Sequence, residues 1–230
     1  MLNRGNRLAL TLIVLVAASL GITACSDSSS SMRRNKDGKL VPTLAGQDPL
    51  GTLYAGSIQK AERGDCGQET MDVLTCFAYR GHGYEGAQTA LGQCLIQKGD
   101  EASGIQWIER AANAGWADAQ KNLALHYATD GVDAPSAMVK GAFWARLYRR
   151  NAALLSLGVT PDPDVAEKFR GKLTTEQAKT VMDRLNAWYP EYWTATSLPD
   201  QRIRTSCQVE SRPRQRPDLD ELRTTPPNPY

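Results

Sequence analysis

The glycines between residues 81 and 86 have the spacing of a phosphate-binding loop. Gly81, Gly83 and Gly86 match the pattern G-x-G-x-x-G, whose glycines let a backbone approach the pyrophosphate of a dinucleotide. That chemistry requires a β-strand directly before the motif, and no clear strand pattern precedes Gly81. We therefore predict a turn between two helices here.

A second motif could supply a nucleophile. Ser57 and Lys60 have the spacing of S-x-x-K, in which the lysine of penicillin-recognising enzymes helps to activate the serine. The S-D-N and K-T-G motifs that complete this set do not follow. We interpret Ser57 as a residue on an exposed helix, and a cell-wall-active or penicillin-binding enzyme remains the alternative function.

The residue types needed for metal binding and acid–base catalysis are scarce. His82 and His126 are the only histidines, and neither lies at ligand spacing with cysteines or carboxylates. Neither lies beside a nucleophile motif such as G-x-S-x-G. We predict no catalytic residue, no cofactor and no metal ligand, and interpret the protein as a non-enzyme.

Three arginines form the best-localised candidate site. Arg146, Arg149 and Arg150 are three and four residues apart and share a helix face beside Tyr148. Such a face can contact an anion or a partner, and a solvated basic surface is the alternative.

The first residues have the pattern of an export signal. Arg4 and Arg7 precede an uncharged stretch over residues 8–22, and residues 1–24 are predicted to be removed. Losing these two arginines lowers the count of basic residues from 27 to 25, equal to the 25 acidic residues. A balanced charge argues against nucleic-acid binding.

The end of this segment, Ile22-Thr23-Ala24-Cys25, resembles the lipobox of bacterial lipoproteins. The resemblance implies that Cys25 is acylated and anchors the mature chain to a membrane. Ser26, and not an aspartate, follows the cysteine, which favours the outer membrane with the protein facing the periplasm. A membrane-spanning anchor is the alternative.

The other four cysteines form an even set in an oxidising compartment and are predicted to form disulfides. They are Cys66, Cys76, Cys94 and Cys207, and three connectivities are open. If Cys66 and Cys76 shared one helix they would be about 15 Å apart, beyond the reach of about 7 Å for a bridge. A bridge to Cys207 would hold the C-terminal tail, and four buried thiols are the alternative.

Composition divides the mature chain into three parts. Residues 25–51 are serine-rich and basic and are predicted to be a flexible tether. Residues 52–195 are predicted to form the helical domain. Residues 196–230 are a proline-rich, arginine-containing tail with little regular structure expected, because seven of the twelve prolines lie in the last 41 residues.

Helix start and stop signals recur within the domain. Asp100 is a predicted N-cap, and Gly115 is a predicted left-handed helix end. The sequence Thr174-Thr175-Glu176-Gln177 predicts a capping box that opens another helix. Residues 73–79 are rich in β-prone side chains, and we predict them to be helical from their context.

The chain also repeats itself, most clearly over residues 86–155. Gly86-Ala87-Gln88, Leu91, Gly92 and Leu95 match Asp118-Ala119-Gln120, Leu123, Ala124 and Tyr127 at an offset of 32. Gly104, Trp107 and Ala111 match Gly141, Trp144 and Tyr148 at an offset of 37. The larger offset places an insertion in a turn near residues 130–133, where repeats tolerate one.

These residues resemble the Sel-one-like repeats, relatives of the tetratricopeptide repeats. The resemblance lies in Ala111-Ala112-Asn113-Ala114-Gly115 followed by Asp118-Ala119-Gln120. It implies an all-α fold, a short α-solenoid of antiparallel helix pairs in which Trp107 and Trp144 pack in the core.

The resemblance and the export signal together predict a function. The protein is expected to be a monomeric, lipid-anchored scaffold or regulatory module that faces the periplasm and binds proteins of a bacterial envelope complex. A structural spacer between the outer membrane and peptidoglycan is a further alternative.

Overall fold

The structure, a computed structural model, describes residues 32–34, 36, 40–42, 48–129, 134–198 and 200–209. Two short antiparallel strands, β1 (Met32–Arg34) and β2 (Leu40–Pro42), pair with Arg33 opposite Val41. The helices that follow are α1 (Pro49–Glu62), α2 (Gln68–Ala78), α3 (Glu85–Gln97), α4 (Glu101–Asn113), α5 (Ala117–Tyr127), α6 (Ala134–Arg149), α7 (Ala152–Ser156), α8 (Pro163–Glu167), α9 (Thr175–Ala187) and α10 (Gln201–Ser206).

The predicted all-α fold is confirmed. Helices that follow one another along the chain pack as neighbours, most extensively α3 with α4 and α5 with α6, as in a short helical solenoid. Three predicted features lie outside the described residues: the export signal with Cys25, the insertion near residues 130–133, and the tail beyond residue 209.

The predicted helix signals work as expected. The Asp100 side chain accepts a hydrogen bond from Ser103 N, and Thr174 and Gln177 form a complete capping box. Gly115 has a φ of +91° after α4, where the backbone reverses into α5. Residues 73–78, whose helical assignment relied on context, belong to α2. Gly81 and Gly83 lie in the turn before α3, and Gly86 lies in the first turn of that helix.

The two repeat units share a buried glutamine that makes the same hydrogen bond in each unit. Gln88 and Gln120, equivalent at the offset of 32, are both 1% exposed. Each side-chain Nε2 donates to a carbonyl at the end of the preceding helix, Gln88 to Ala78 O and Gln120 to Ala112 O. Each glutamine therefore fastens one helix pair to the next, because the carbonyls at a helix end lack partners within the helix. Asn151 continues this pattern by donating to Gln120 Oε1 at 3.0 Å.

Helices α3 and α4 approach closely because two glycines face each other. A Cβ atom on Gly92 would lie 2.6 Å from Gly104 O, and one on Gly104 would lie 2.6 Å from Gly92 O. Only glycine at both positions allows this backbone contact.

The core has two clusters that meet at α4. The first is built mainly from α2 and α3 and includes Phe77, Leu91 and Trp107. The second extends from α4 to α9 and includes Leu123 and Trp144. Trp107 is 7% exposed and Trp144 is 5% exposed, so the prediction that both tryptophans pack in the core is confirmed.

Described helices lie beyond the expected range 52–195 at both ends. Helix α1 begins at Pro49, inside the predicted tether, where the Asp48 side chain caps it. At the other end, residues 189–198 and 200–207 fold back over the domain and end in α10, although little regular structure was expected in residues 196–230. We call residues 189–198 and 200–207 the C-terminal strap. Its long-range contacts leave no periodic signal in the sequence.

Among the described residues, no helix combines the length and apolar character needed to cross a membrane.

Candidate interaction surface

The first part of the C-terminal strap is bound through its backbone to the ends of two helices. Glu191 N donates to Asn113 O at the end of α4, at 2.9 Å. Further along, His82 N donates to Trp193 O at 2.9 Å, and Thr196 N donates to Tyr79 O at 3.2 Å. The strap thus runs from α4 to α2, against the direction in which the helix pairs follow one another.

An aromatic cluster holds the middle of the strap. The Trp193 ring packs against Trp107 at 5.4 Å and against Tyr79 at 5.9 Å between ring centroids. The Arg110 guanidinium lies over Trp107 at 4.4 Å and over Trp193 at 4.6 Å. Each of these cation–π contacts contributes about 0.5–1 kcal/mol at a partly exposed site. Trp193 therefore anchors the strap to α4.

Gly81 is required where the strap crosses the turn after α2. Its φ is +84°, and a Cβ atom there would lie 2.6 Å from Ala195 N and 2.7 Å from Trp193 O. A side chain at this position would be strained and would also push the strap away.

The end of the strap is locked onto α2 by a disulfide and an ion pair. Cys76 on α2 is bonded to Cys207, with their Cα atoms 5.8 Å apart. Arg202 on α10 pairs with Asp72, whose side chain is only 13% exposed. The Ile203 side chain packs against the first core cluster beside these contacts.

Two tyrosines on the strap remain exposed. Tyr189 is 75% exposed and Tyr192 is 56% exposed. The Tyr192 ring lies 4.1 Å from the His82 ring, whose Nδ1 is 2.6 Å from Glu85 Oε1. Glu85 is 7% exposed, and its carboxylate also accepts hydrogen bonds from Gly83 N. Tyr192 therefore packs on the His82 ring, which the buried Glu85 carboxylate holds in place.

A cleft of about 270 Å³ opens between α2 and the second half of the strap. Its wall includes the Cys76–Cys207 bridge and carries two guanidinium groups, those of Arg80 and Arg204. The remaining lining residues are Tyr79, Ala195, Thr196, Ser197, Leu198 and Gln208.

The predicted disulfides form, and the structure selects one of the three open connectivities. Cys66 pairs with Cys94 and Cys76 pairs with Cys207. Cys66 lies in the turn before α2 and Cys76 lies within α2. The bridge to Cys207 holds the start of the tail, as such a bridge was expected to do.

The three predicted arginines do not act as one exposed group. Arg149 and Arg150 are exposed near the end of α6. Arg146 is half-buried, and its Nη1 lies 2.8 Å from the Met182 sulfur on α9. Arg146 thus helps to pack α9 on α6, which leaves two arginines for an anion or a partner.

The description of Ser57 as exposed is wrong. Ser57 is 4% exposed, and its hydroxyl donates to Tyr54 O at 2.8 Å. Lys60 pairs with Glu69 at 3.6 Å. The serine faces inward because α1 packs that side against α2 and α3.

The two histidines lie apart, each beside one carboxylate. His82 contacts Glu85, and His126 Nε2 lies 3.3 Å from Glu101 Oε1. In the part of the chain that the structure describes, no three metal-binding side chains come together.

Burial, hydrogen bonding and neighbouring charges shift the pKa values of Tyr127, Lys121 and Asp162. Burial, followed by the nearby Glu109 carboxylate, raises the pKa of Tyr127 to about 12. The hydrogen bond from Lys121 lowers the pKa of Asp162, and the same bond raises the pKa of Lys121. This pair, at 3.1 Å, links α5 to the N-cap of α8.

Sequence reasoning missed the strap and its exposed tyrosines. The available signal was the segment Trp188-Tyr189-Pro190-Glu191-Tyr192-Trp193, which holds four aromatic residues in six positions. Its position beside a helix-ending proline suggested only the end of the domain.

A scan against protein-family models gives no match, and searches of curated proteins and of solved structures also give none. The class of protein is therefore defined by its architecture. The described residues from 48 onward form a helical domain of neighbouring helix pairs, and a disulfide-bonded strap packs along one side of it.

Proposed function

We propose that this protein is a lipid-anchored, periplasm-facing scaffold or regulatory module that binds a protein of a bacterial envelope complex. Acylation of Cys25, attachment to the outer membrane and the Sel-one-like nature of the repeats are parts of this proposal. The lipobox supports the location, and the two disulfides fit an oxidising compartment.

The observation that carries the proposal is the outer face of the strap. Tyr189 and Tyr192 are exposed there, although the backbone between them is bound to α4 through Glu191 N. Tyrosine is enriched at protein interfaces because it buries a large apolar ring at a small cost in conformational entropy. Rigid aromatic side chains on a fixed backbone suit such an interface.

The way in which the strap binds also supports a protein partner. The ends of α2 and α4 already hold an extended segment of this chain through backbone hydrogen bonds and one tryptophan anchor, Trp193. A partner segment beside the strap would use the same kinds of contact, with Tyr189 and Tyr192 as its anchors.

A site-specific crosslinking experiment in intact cells tests this surface. A photoreactive phenylalanine analogue replaces Tyr189 or Tyr192 in the lipidated protein, and crosslinked proteins are identified by mass spectrometry. We expect both positions to give the same crosslinked envelope protein. We also expect Tyr189→Ser with Tyr192→Ser to prevent co-purification of that protein.

The exposed arginines provide the matched comparison. Arg149→Gln with Arg150→Gln changes two exposed side chains at the end of α6 and leaves the strap unaltered. This variant is expected to retain the partner. If the arginine variant loses the partner and the tyrosine variant retains it, the partner binds at the end of α6 and not at the strap. Absence of any specific crosslinked protein would refute the proposed function.

A further inference from the structure

The cleft beside the Cys76–Cys207 bridge has the chemistry of an anion site. Arg80 and Arg204 contribute their guanidinium groups to its wall, and no aspartate or glutamate is among its described lining residues. Neither arginine forms an ion pair with a described residue. Two positive charges therefore share one concave space without a carboxylate between them.

The Arg80 side chain is held in place before any ligand arrives. Its guanidinium lies over the Phe77 ring at 5.0 Å and over the Tyr84 ring at 5.4 Å. Its Nη1 donates to Tyr84 Oη at 3.3 Å, and its Nη2 lies 3.1 Å from Cys207 Sγ. Because a guanidinium has several N–H groups in a rigid planar fork, these contacts fix the fork and leave other N–H groups for an oxyanion.

The second half of the strap supplies the opposite wall. Thr196 and Ser197 add hydroxyl groups, and neither hydroxyl is hydrogen-bonded to another described residue. Arg204 reaches the cleft from α10, where Cys207 and the pair between Arg202 and Asp72 fix the helix. The cleft therefore combines one guanidinium held by aromatic rings, one exposed guanidinium and two hydroxyl groups.

We propose that this cleft binds a small dianionic ligand, with Arg80 and Arg204 each pairing with one of its negative charges. Guanidinium groups bind carboxylate and phosphate oxygens through paired N–H donors. The volume of about 270 Å³ accommodates a small molecule and excludes a folded partner. The site lies at the α2 end of the strap and is separate from the tyrosine surface, so the two proposals can fail independently.

Isothermal titration calorimetry of the oxidised full-length protein, purified in detergent, tests the proposal. The probes are glutarate for a dicarboxylate, inorganic phosphate for a phosphate, and glutaramide as the uncharged control. We expect glutarate or phosphate to bind at millimolar concentration or below. The probe that binds more tightly shows whether the ligand is a dicarboxylate or a phosphate. Glutaramide is expected not to bind, and added salt is expected to weaken the binding.

Variants assign the binding to the cleft. Arg204 is exposed, so Arg204→Gln should fold normally and weaken binding about tenfold or more, as expected for a charge-assisted hydrogen bond. Arg80→Lys retains the charge, loses the planar fork, and is expected to weaken binding as well. The control Arg149→Gln with Arg150→Gln should bind as the wild type does. Thermal unfolding without ligand checks that each variant is folded.

Three results would overturn the proposal. The first is the absence of binding by both anions, and the second is binding that Arg204→Gln leaves unchanged. The third concerns the acidic residues that follow the strap in sequence, Glu210, Asp218, Asp220 and Glu221. If glutarate and phosphate bind only after these four residues are replaced by their amides in the full-length chain, the cleft serves the chain's own carboxylates and not a separate ligand.

Discussion

Removing the bridge between Cys76 and Cys207 is expected to destabilise the protein more than removing the bridge between Cys66 and Cys94. The first bridge closes a sequence separation of 131 residues and the second closes one of 28 residues. The chain-entropy relation assigns about 5 kcal/mol to the longer loop and roughly 3.6 kcal/mol to the shorter loop. The difference arises because a longer loop removes more freedom from the unfolded chain.

The longer bridge also has a local effect that the shorter one lacks. Without it, the six-residue helix α10 retains the pair between Arg202 and Asp72 and the packing of Ile203. A helix of this length is marginal by itself, and an ion pair whose arginine is exposed, as Arg202 is, adds about 1 kcal/mol. The end of the strap should therefore detach while the helix pairs remain folded.

Chemical unfolding and limited trypsin digestion measure the two effects. Cys76→Ser with Cys207→Ser is compared with Cys66→Ser with Cys94→Ser, using the midpoint and slope of guanidinium unfolding. Only the first variant is expected to be cut rapidly after Arg202 and Arg204 under native conditions. Equal losses of unfolding free energy in both variants, or a strap that resists trypsin without its bridge, would refute the reasoning.

Three further predictions concern the packing and charges of the domain. Gly92→Ala should lower the free energy of unfolding by about 1–3 kcal/mol, since overpacking has costs of this size and the new methyl group would meet Gly104 O; an unchanged midpoint in urea would contradict the close approach. Gly81→Ala should displace the strap, seen as a change in tryptophan fluorescence, with the Cys76–Cys207 bridge still formed in a mass map of non-reduced peptides; wild-type fluorescence would contradict the crossing point. The ion pair of Lys121 and Asp162 should stabilise the fold at every pH where both side chains are charged. Its contribution is lost as the pH falls below 3.8, because the pKa of Asp162 is lowered in the folded protein. The contribution is also lost as the pH rises above 10.5, because the pKa of Lys121 is raised. Lys121→Met should flatten both ends of the stability profile measured by thermal unfolding against pH, and an unaltered profile would exclude the pair as its cause.

The helices were predictable because their signals are local. The capping box at Thr174 and the N-cap at Asp100 involve residues three positions apart. The repeat was visible because equivalent packing positions require similar residues, and Gln88 and Gln120 perform the same task in both units.

The candidate surfaces were less predictable because they depend on contacts between residues that are far apart in the sequence. Arg146, Arg149 and Arg150 were grouped by helical spacing alone, but the packing of Met182 against Arg146 depends on a helix 36 positions away. Ser57 was assigned to an exposed face because the sequence does not state which side of α1 meets its neighbours.

The sequence by itself determined that the domain is helical, where the helices at Asp100 and Thr174 begin, where the one before Gly115 ends, and that two helix pairs repeat. These features follow from interactions within a few residues and from the spacing of apolar side chains. The tertiary structure alone decided the disulfide pairing, the path of the strap, and the meeting of Arg80 with Arg204 in one cleft. These arrangements depend on which surfaces remain uncovered after the helices pack, and that information is spread over the whole domain and not over any short segment of the chain.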